Sequence, residues 1–181
     1  MPRLAIRNML ALIVGVACFA SCAKDEPDEA AYVASFKTIS RDYAAFVVNF
    51  NTSRSPYRPG MTRPRRNEAY SKVAQDAGDQ ASRLAGREEA LQPNARYESV
   101  HAEALKLYQL EANRWHSYAK TVLSADDDQS SQVAKQLDED CKSQMAKLIA
   151  EAENIKEDST VADSVHRMSL PDPFRNQPKG L

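Results

Sequence analysis

Residues 97–124, YESVHAEALKLYQLEANRWHSYAKTVLS, decide the fold of this chain. They contain neither proline nor glycine, and mostly apolar residues recur in them at alternating spacings of four and three. These residues form a first stripe along one side of a helix, which comprises His101, Leu105, Tyr108, Ala112, Trp115, Ala119 and Val122. A second stripe comprises Tyr97, Val100, Ala104, Leu107 and Tyr118. Such spacing is typical of an α-helix that packs along its whole length against other helices. We therefore expect a well-buried helix that follows a turn near residues 91–93 and ends near Ser124.

The same periodicity predicts three further helices. The first covers residues 28–51, with the stripe Tyr32, Phe36, Ile39, Tyr43, Phe46 and Phe50. The second runs from about Asn67 to Gly86 and turns a largely alanine face inward at Tyr70, Val73, Ala74, Ala77, Ala81 and Leu84. The fourth begins after the acidic start signal at residues 126–131 and reaches about Asp158 through Val133, Leu137, Cys141, Met145, Leu148, Ala152 and Ile155. These elements predict an all-α protein, an antiparallel up-down four-helix bundle over residues 28–158.

Proline-rich segments interrupt or follow this pattern. Residues 52–66 contain three prolines and a glycine, which predicts a long loop between the first and second helices. Residues 159–181 contain Pro171, Pro173 and Pro178 and have little apolar content. We therefore expect an irregular C-terminal tail.

The N-terminus has the layout of an export signal. Arg3 and Arg7 precede an uncharged, mostly apolar run from Met9 to Ala20 that is too short to span a bilayer as a stable helix, and Phe19-Ala20-Ser21-Cys22 follows directly. Residues 1–22 resemble a bacterial lipoprotein precursor, with Phe19 in place of the usual aliphatic residue. The alternatives are an ordinary secretory signal or an uncleaved anchor.

This resemblance implies that residues 1–21 are removed, that Cys22 is acylated, and that residues 22–27 form a short tether to the membrane. Asp directly after the cysteine retains a lipoprotein in the inner membrane in the enteric sorting pattern that the chain resembles, and here Ala23 takes that position. We therefore expect a lipid-anchored protein of the cell envelope, attached to the outer membrane and either periplasmic or surface-exposed.

Composition limits the partners and the redox chemistry. Residues 1–21 hold two arginines and no acidic residue, so the 24 basic and 25 acidic residues of the whole chain become 22 and 25 in the 160-residue mature form. This balance argues against nucleic acid as a partner. Cys18 is lost with the signal and Cys22 is lipidated, which leaves Cys141 on an inward stripe as a thiol that we expect to be inert.

Five arginines lie within 13 residues around the loop, and no acidic residue lies between Asn51 and Asn67; they are Arg54, Arg58, Arg63, Arg65 and Arg66. Guanidinium groups bind carboxylates and phosphates through paired hydrogen bonds, which favours an anionic partner. The alternative is a solvated loop, neutralised by Asp126, Asp127 and Asp128 at the same end of the bundle. Because the tether enters the first helix at the opposite end, a protein or cell-wall partner fits better than lipid headgroups beside the anchor.

Two carboxylate-x-x-histidine runs, Glu98 to His101 and Asp163 to His166, raise the question of a di-iron site. The second run lies in the proline-rich tail, and the first helix offers no inward Glu, so we expect neither a metal nor another cofactor; Glu98 and His101 are only weak candidates. The leading hypothesis is a non-catalytic binding or scaffold protein with an envelope partner. The alternative is a bundle that binds a metal or small ligand and could be an enzyme.

Overall fold

The described part of the chain is all-α, as the sequence predicts. The structure is a computed structural model that describes residues 28–52, 58–124, 127–155 and 158–169. Within these ranges there are five α-helices and no strand: α1 (Glu29–Thr52), α2 (Arg63–Glu89), α3 (Glu98–Ser124), α4 (Asp127–Glu153) and α5 (Ser159–Ser169). None of these helices combines the length and the apolar character that crossing a membrane requires.

Helix α2 begins at Arg63, so the prediction that the loop extends through residue 66 was wrong. Pro64 lies in the first turn of the helix, where its missing N–H costs no intrahelical hydrogen bond. The first turn closes when the Arg66 N–H donates to the Thr62 carbonyl at 3.0 Å. The helix also continues through Gly86 to Glu89.

The C-terminal segment contains a fifth helix, so the prediction of an irregular region beginning at residue 159 was wrong for residues 159–169. Asp158 precedes this helix, and its Oδ1 accepts the Thr160 N–H at 2.8 Å. Val161, Val165 and Met168 follow at spacings of four and three and are all buried. The prolines that suggested an irregular tail lie after the helix, at positions outside the described residues.

Helix α5 completes the packing between α1 and α4. Neighbouring helices are in contact in the order α1–α2–α3–α4–α5, and α5 also packs against α1. Among the described residues, α1 and α4 have no Cα atoms within 8 Å of each other. The short fifth helix therefore lies between α1 and α4, which would pack directly against each other in a simple four-helix bundle.

The core contains the predicted stripe of α1 from Tyr32 to Phe46 and part of each stripe of α3, whose residues are buried to different degrees. Residues of α1 that are buried include Tyr32, Phe36, Ile39, Tyr43 and Phe46, whereas the Phe50 side chain lies outside the described residues. On α3, the second stripe is buried from Tyr97 to Leu107, whereas Leu105 and Trp115 of the first are only partly buried. The Arg114 guanidinium lies over the indole of Trp115, with its Cζ atom 4.8 Å from the centroid of the indole ring.

The order of contacts shows which helix ends lie together. Ser71 Oγ donates to the Ala119 carbonyl at 2.8 Å, whereas Glu88 of α2 meets His101 of α3, so the two helices contact each other in opposite order. Tyr32 of α1 stacks with Tyr97 at 5.1 Å between ring centroids, and farther along Tyr43 lies 5.3 Å from Tyr108. Helices α1 and α3 thus contact each other in the same order.

Candidate functional site

The predicted lipidation site and one of the five arginines lie outside the described residues; they are Cys22 and Arg54. Arg58 lies in the turn before α2, where the Met61 N–H donates to the Arg58 carbonyl at 3.1 Å. Gly60 supports this turn with a φ of 85°, a conformation that residues with a side chain rarely adopt. The turn brings Arg58 close in sequence and space to the start of α2.

The other three arginines, Arg63, Arg65 and Arg66, all lie in the first turn of α2. Arg63 and Arg65 are exposed, Arg66 is half-buried, and the first turn contains no acidic residue. The free N–H groups of a helix N-terminus carry partial positive charge, so cations there are disfavoured by about 0.3–1 kcal/mol each. The sequence thus places positive charge where it weakens the helix, and this end of the molecule is well suited to attract anions.

Neutralisation of this basic end, defined as Arg58, Arg63, Arg65 and Arg66, by the acidic turn at residues 126–128 stays a prediction. Asp127 and Asp128 begin α4, but their side chains, like the whole of Asp126, lie outside the described part. Among the described side chains, Arg65 and Arg66 form no ion pair. The Ser71–Ala119 contact places the start of α2 beside the C-terminal end of α3, whereas the start of α1 lies near Tyr97. The basic end and the N-terminus of α1 are therefore at opposite ends of α3, which rises about 40 Å over its 27 residues.

The weak metal candidates do not come together as a pair. Glu98 is exposed on the first turn of α3, whereas His101 Nδ1 lies 3.1 Å from Glu88 Oε1. In the second run, Asp163 is exposed and His166 Nε2 lies 3.3 Å from Glu153 Oε1. The described ranges contain no group of three or more His, Cys, Asp or Glu side chains arranged to hold a metal ion.

Glu88 is a buried residue that sequence reasoning missed. Its side chain is fully buried, and within the described part of the chain its Oε2 and the Tyr32 hydroxyl have no hydrogen-bond partner. Burial raises the pKa of the Glu88 carboxyl from its ordinary value of 4.5 to about 8, and burial also lowers the pKa of His101 below 6.5. A signal existed, because Glu88 comes four residues after Leu84 and so continues the inward stripe of α2.

A second buried carboxylate joins three helices near the middle of the bundle. Glu111 Oε1 accepts the Tyr43 hydroxyl at 3.1 Å, and Arg114 lies 3.4 Å from both carboxylate oxygens. Arg114 also reaches Asp138 of α4 at 3.0 Å. This network is internally paired, so it serves to connect α1, α3 and α4.

Cys141 lies buried beside this network. The pKa of its thiol is raised to about 12, chiefly by burial; the Glu111 carboxylate also raises this pKa, and the Arg114 cation lowers it. The thiolate is therefore scarce at neutral pH, and the geometry agrees with the expectation of an inert thiol. The structure thus offers two features for function: the exposed basic end and the buried Glu88–His101 pair.

No known protein family, characterised protein or solved structure matches this chain.

Proposed function

We propose that this chain is a lipid-anchored protein of the bacterial cell envelope, with a non-catalytic binding or scaffold role. In this proposal Cys22 carries the lipid, residues 23–27 tether the domain, and the helices form an antiparallel bundle that is completed by α5. The order of contacts between α2 and α3 and between α1 and α3 supports this arrangement. Ala23 favours the outer membrane.

The observation that carries the binding role is the concentration of arginines at the end of the bundle away from α1's N-terminus. Three of them crowd the first turn of α2, where the helix dipole makes positive charge unfavourable for folding. A sequence shaped by stability alone would favour acidic residues there. We therefore propose that the basic end, defined as Arg58, Arg63, Arg65 and Arg66, recruits an anionic protein or cell-wall partner.

The test replaces these four arginines together by glutamine and captures envelope partners from cells. Because three of these arginines oppose the helix dipole at the start of α2, the variant should unfold at a urea concentration equal to or somewhat higher than that of the wild type. Partner recovery should fall sharply, and the wild-type interaction should weaken as salt is added. Unchanged recovery with the variant would refute recruitment and favour a solvated segment neutralised by the nearby acidic turn.

A matched control removes four positive charges elsewhere. Lys37, Arg83, Lys147 and Arg167 are exposed on the helix surfaces and away from the start of α2. If the basic end acts as a specific site, replacing these four by glutamine should leave partner recovery near the wild-type level. Equal losses in the two quadruple variants would show that net charge, rather than the basic end, determines capture.

The anchor is tested separately with Cys22→Ser. The acyl chains of a lipoprotein, at about 0.8 kcal/mol for each buried methylene, make anchoring stable. The variant should carry no acyl mass and should leave the membrane fraction. Acyl mass on the Cys22→Ser protein would refute the assignment.

The second candidate function is a bundle that binds a metal or a small ligand, either as a binding protein or as an enzyme. The buried polar atoms around Glu88 are the observation that favours it. Native mass spectrometry and metal analysis of protein beginning at Ala23 distinguish the two functions. A stoichiometric ligand or metal would favour this second candidate.

A further inference from the structure

Glu88 and His101 join two consecutive helices at one end of the bundle. Glu88 lies in the last turn of α2 and His101 in the first turn of α3, with the hydrogen bond between Oε1 and Nδ1 spanning 3.1 Å. The Glu88 side chain is fully buried, while the His101 side chain is 15% exposed. The histidine thus connects a carboxyl group in the core to the solvent.

Within the described part of the chain, the groups that face Glu88 include no cation paired with its carboxylate apart from His101, whose pKa is lowered. The helices that pack against α2 in the described ranges are α1 and α3. Helix α1 contributes Tyr32, whose pKa is raised by burial, and α3 contributes Tyr108, whose pKa burial also raises, as well as His101. On α2 itself, Arg87 is directed to Asp42 of α1 at 2.7 Å. Farther out, Tyr97 donates to Glu29 and Asp158, at 2.8 and 3.0 Å.

We propose that Glu88 and His101 form a proton-dependent lock between α2 and α3, closed while one proton is shared between the two side chains and released when that proton leaves. With the proton present, the Glu88 hydroxyl donates to a neutral His101 Nδ1, and neither side chain carries charge. Without it, a carboxylate remains in the core beside a neutral imidazole and uncharged tyrosines. An unpaired buried charge is strongly unfavourable, so the end of the bundle that contains this pair opens first.

The pH range of the lock follows from the two pKa shifts. The pKa of Glu88 is raised, so its contribution to stability is complete below 4.5 and is lost as pH rises through about 8. The pKa of His101 is lowered, so its contribution is complete above 6.5 and is lost at acidic pH. Between 4.5 and 6.5 the two effects oppose each other, because the folded pair keeps the Glu88 proton while the unfolded chain keeps the His101 proton. Stability should therefore depend less steeply on pH there than above 6.5, where it should decrease as pH rises.

The size of the effect follows from the proton count. Between pH 6.5 and 8 the folded state holds one proton more than the unfolded state, so the unfolding equilibrium constant rises up to about tenfold per pH unit. The test measures urea unfolding of the wild type and of Glu88→Gln from pH 5 to 9 at fixed ionic strength. Glutamine keeps a donor for His101 Nδ1 but cannot lose a proton. We expect the unfolding equilibrium constant to rise between pH 6.5 and 8 in the wild type and not to rise in Glu88→Gln.

Glu89→Gln is the matched control, since it makes the same change at an exposed position one residue farther on. It should retain the wild-type dependence on pH. A wild-type slope that persists in Glu88→Gln would overturn the proposal. If Glu88→Gln does not fold, the infrared carbonyl band of a protonated carboxyl group in the wild type replaces this test. That band should be present at pH 6 and should be lost as pH rises through about 8, and its absence at pH 6 would overturn the proposal.

Amide hydrogen exchange tests whether the release is local. After correction for the intrinsic pH dependence of exchange, amides of residues 84–88 and 98–104 should lose protection between pH 6.5 and 8.5 before amides near Ser71 and Ala119 do. Glu88→Gln should remove this difference. Simultaneous loss of protection along the whole of α2 and α3 would show global destabilisation without a lock and would overturn the proposal.

Discussion

Replacing Gly78 by alanine tests how closely α2 and α3 approach each other. Gly78 is buried, and a Cβ atom at this position would overlap the His116 imidazole, with Cγ at 2.9 Å and Nε2 at 2.5 Å. Gly86 lies two turns farther along the same helix, and a Cβ there would meet nothing within 4 Å. The same substitution at the two positions therefore separates the effect of packing from that of helix propensity.

The expected free energies of unfolding follow from two opposing effects. Alanine is favoured over glycine in a helix interior by about 0.8–1 kcal/mol, so Gly86→Ala should stabilise the protein by about that amount. At Gly78 the same gain opposes an overpacking cost of about 1–3 kcal/mol. The His116 side chain is 35% exposed, so it can move outward, but its Cγ is also too close and the whole ring must shift. We expect Gly78→Ala to be destabilising by about 1 kcal/mol.

Urea unfolding followed by circular dichroism measures both variants, provided that the denaturant dependence of the free energy stays at the wild-type value. The difference between the two variants should be about 2 kcal/mol, the sum of the expected gain at Gly86 and loss at Gly78. Adding His116→Ala to Gly78→Ala removes the ring and should recover most of the overpacking cost. If Gly78→Ala stabilises as much as Gly86→Ala, the two helices do not approach as closely as described here.

Three further predictions concern the polar groups of the core and α5. Tyr43→Phe removes the hydroxyl that donates to Glu111 and should lower the free energy of unfolding by about 1–2 kcal/mol in urea titrations, whereas an unchanged value would show that water replaces the hydroxyl. Asp158→Ala removes the cap of α5 and should lower the free energy of unfolding by about 1 kcal/mol. Relative to the wild type, amide exchange should accelerate more in α5 than in α3, and equal acceleration in both helices would contradict a local capping role. Cys141 should be alkylated slowly at pH 8 in the folded protein and rapidly in urea, because burial raises its thiol pKa to about 12; rapid alkylation of the folded protein would show that the thiol is accessible.

The local pattern of the chain predicted the long helices well and the helix boundaries less well. The stripe from Tyr32 to Phe46 is buried as expected, because apolar residues that recur about every 3.6 positions lie on one face of a helix and are buried when that face packs inward. The start of α2 was placed too late, since Pro64 was interpreted as a helix breaker although it is compatible with a first turn. Helix α5 was missed because 11 residues form a marginal helix in isolation, and its stability depends on burying Val161 and Val165 against other helices.

Sequence by itself determined the helical class, most of the apolar core and the concentration of arginines between Asn51 and Asn67, since each depends on residue type and spacing along the chain. Only the tertiary structure decided which polar residues are enclosed. Glu88 and Glu98 are both glutamates in helices, yet one is fully buried beside His101 and the other is exposed. The physical reason is that the pKa and the partners of a carboxyl group depend on the helices around it, and their side chains come from distant parts of the chain.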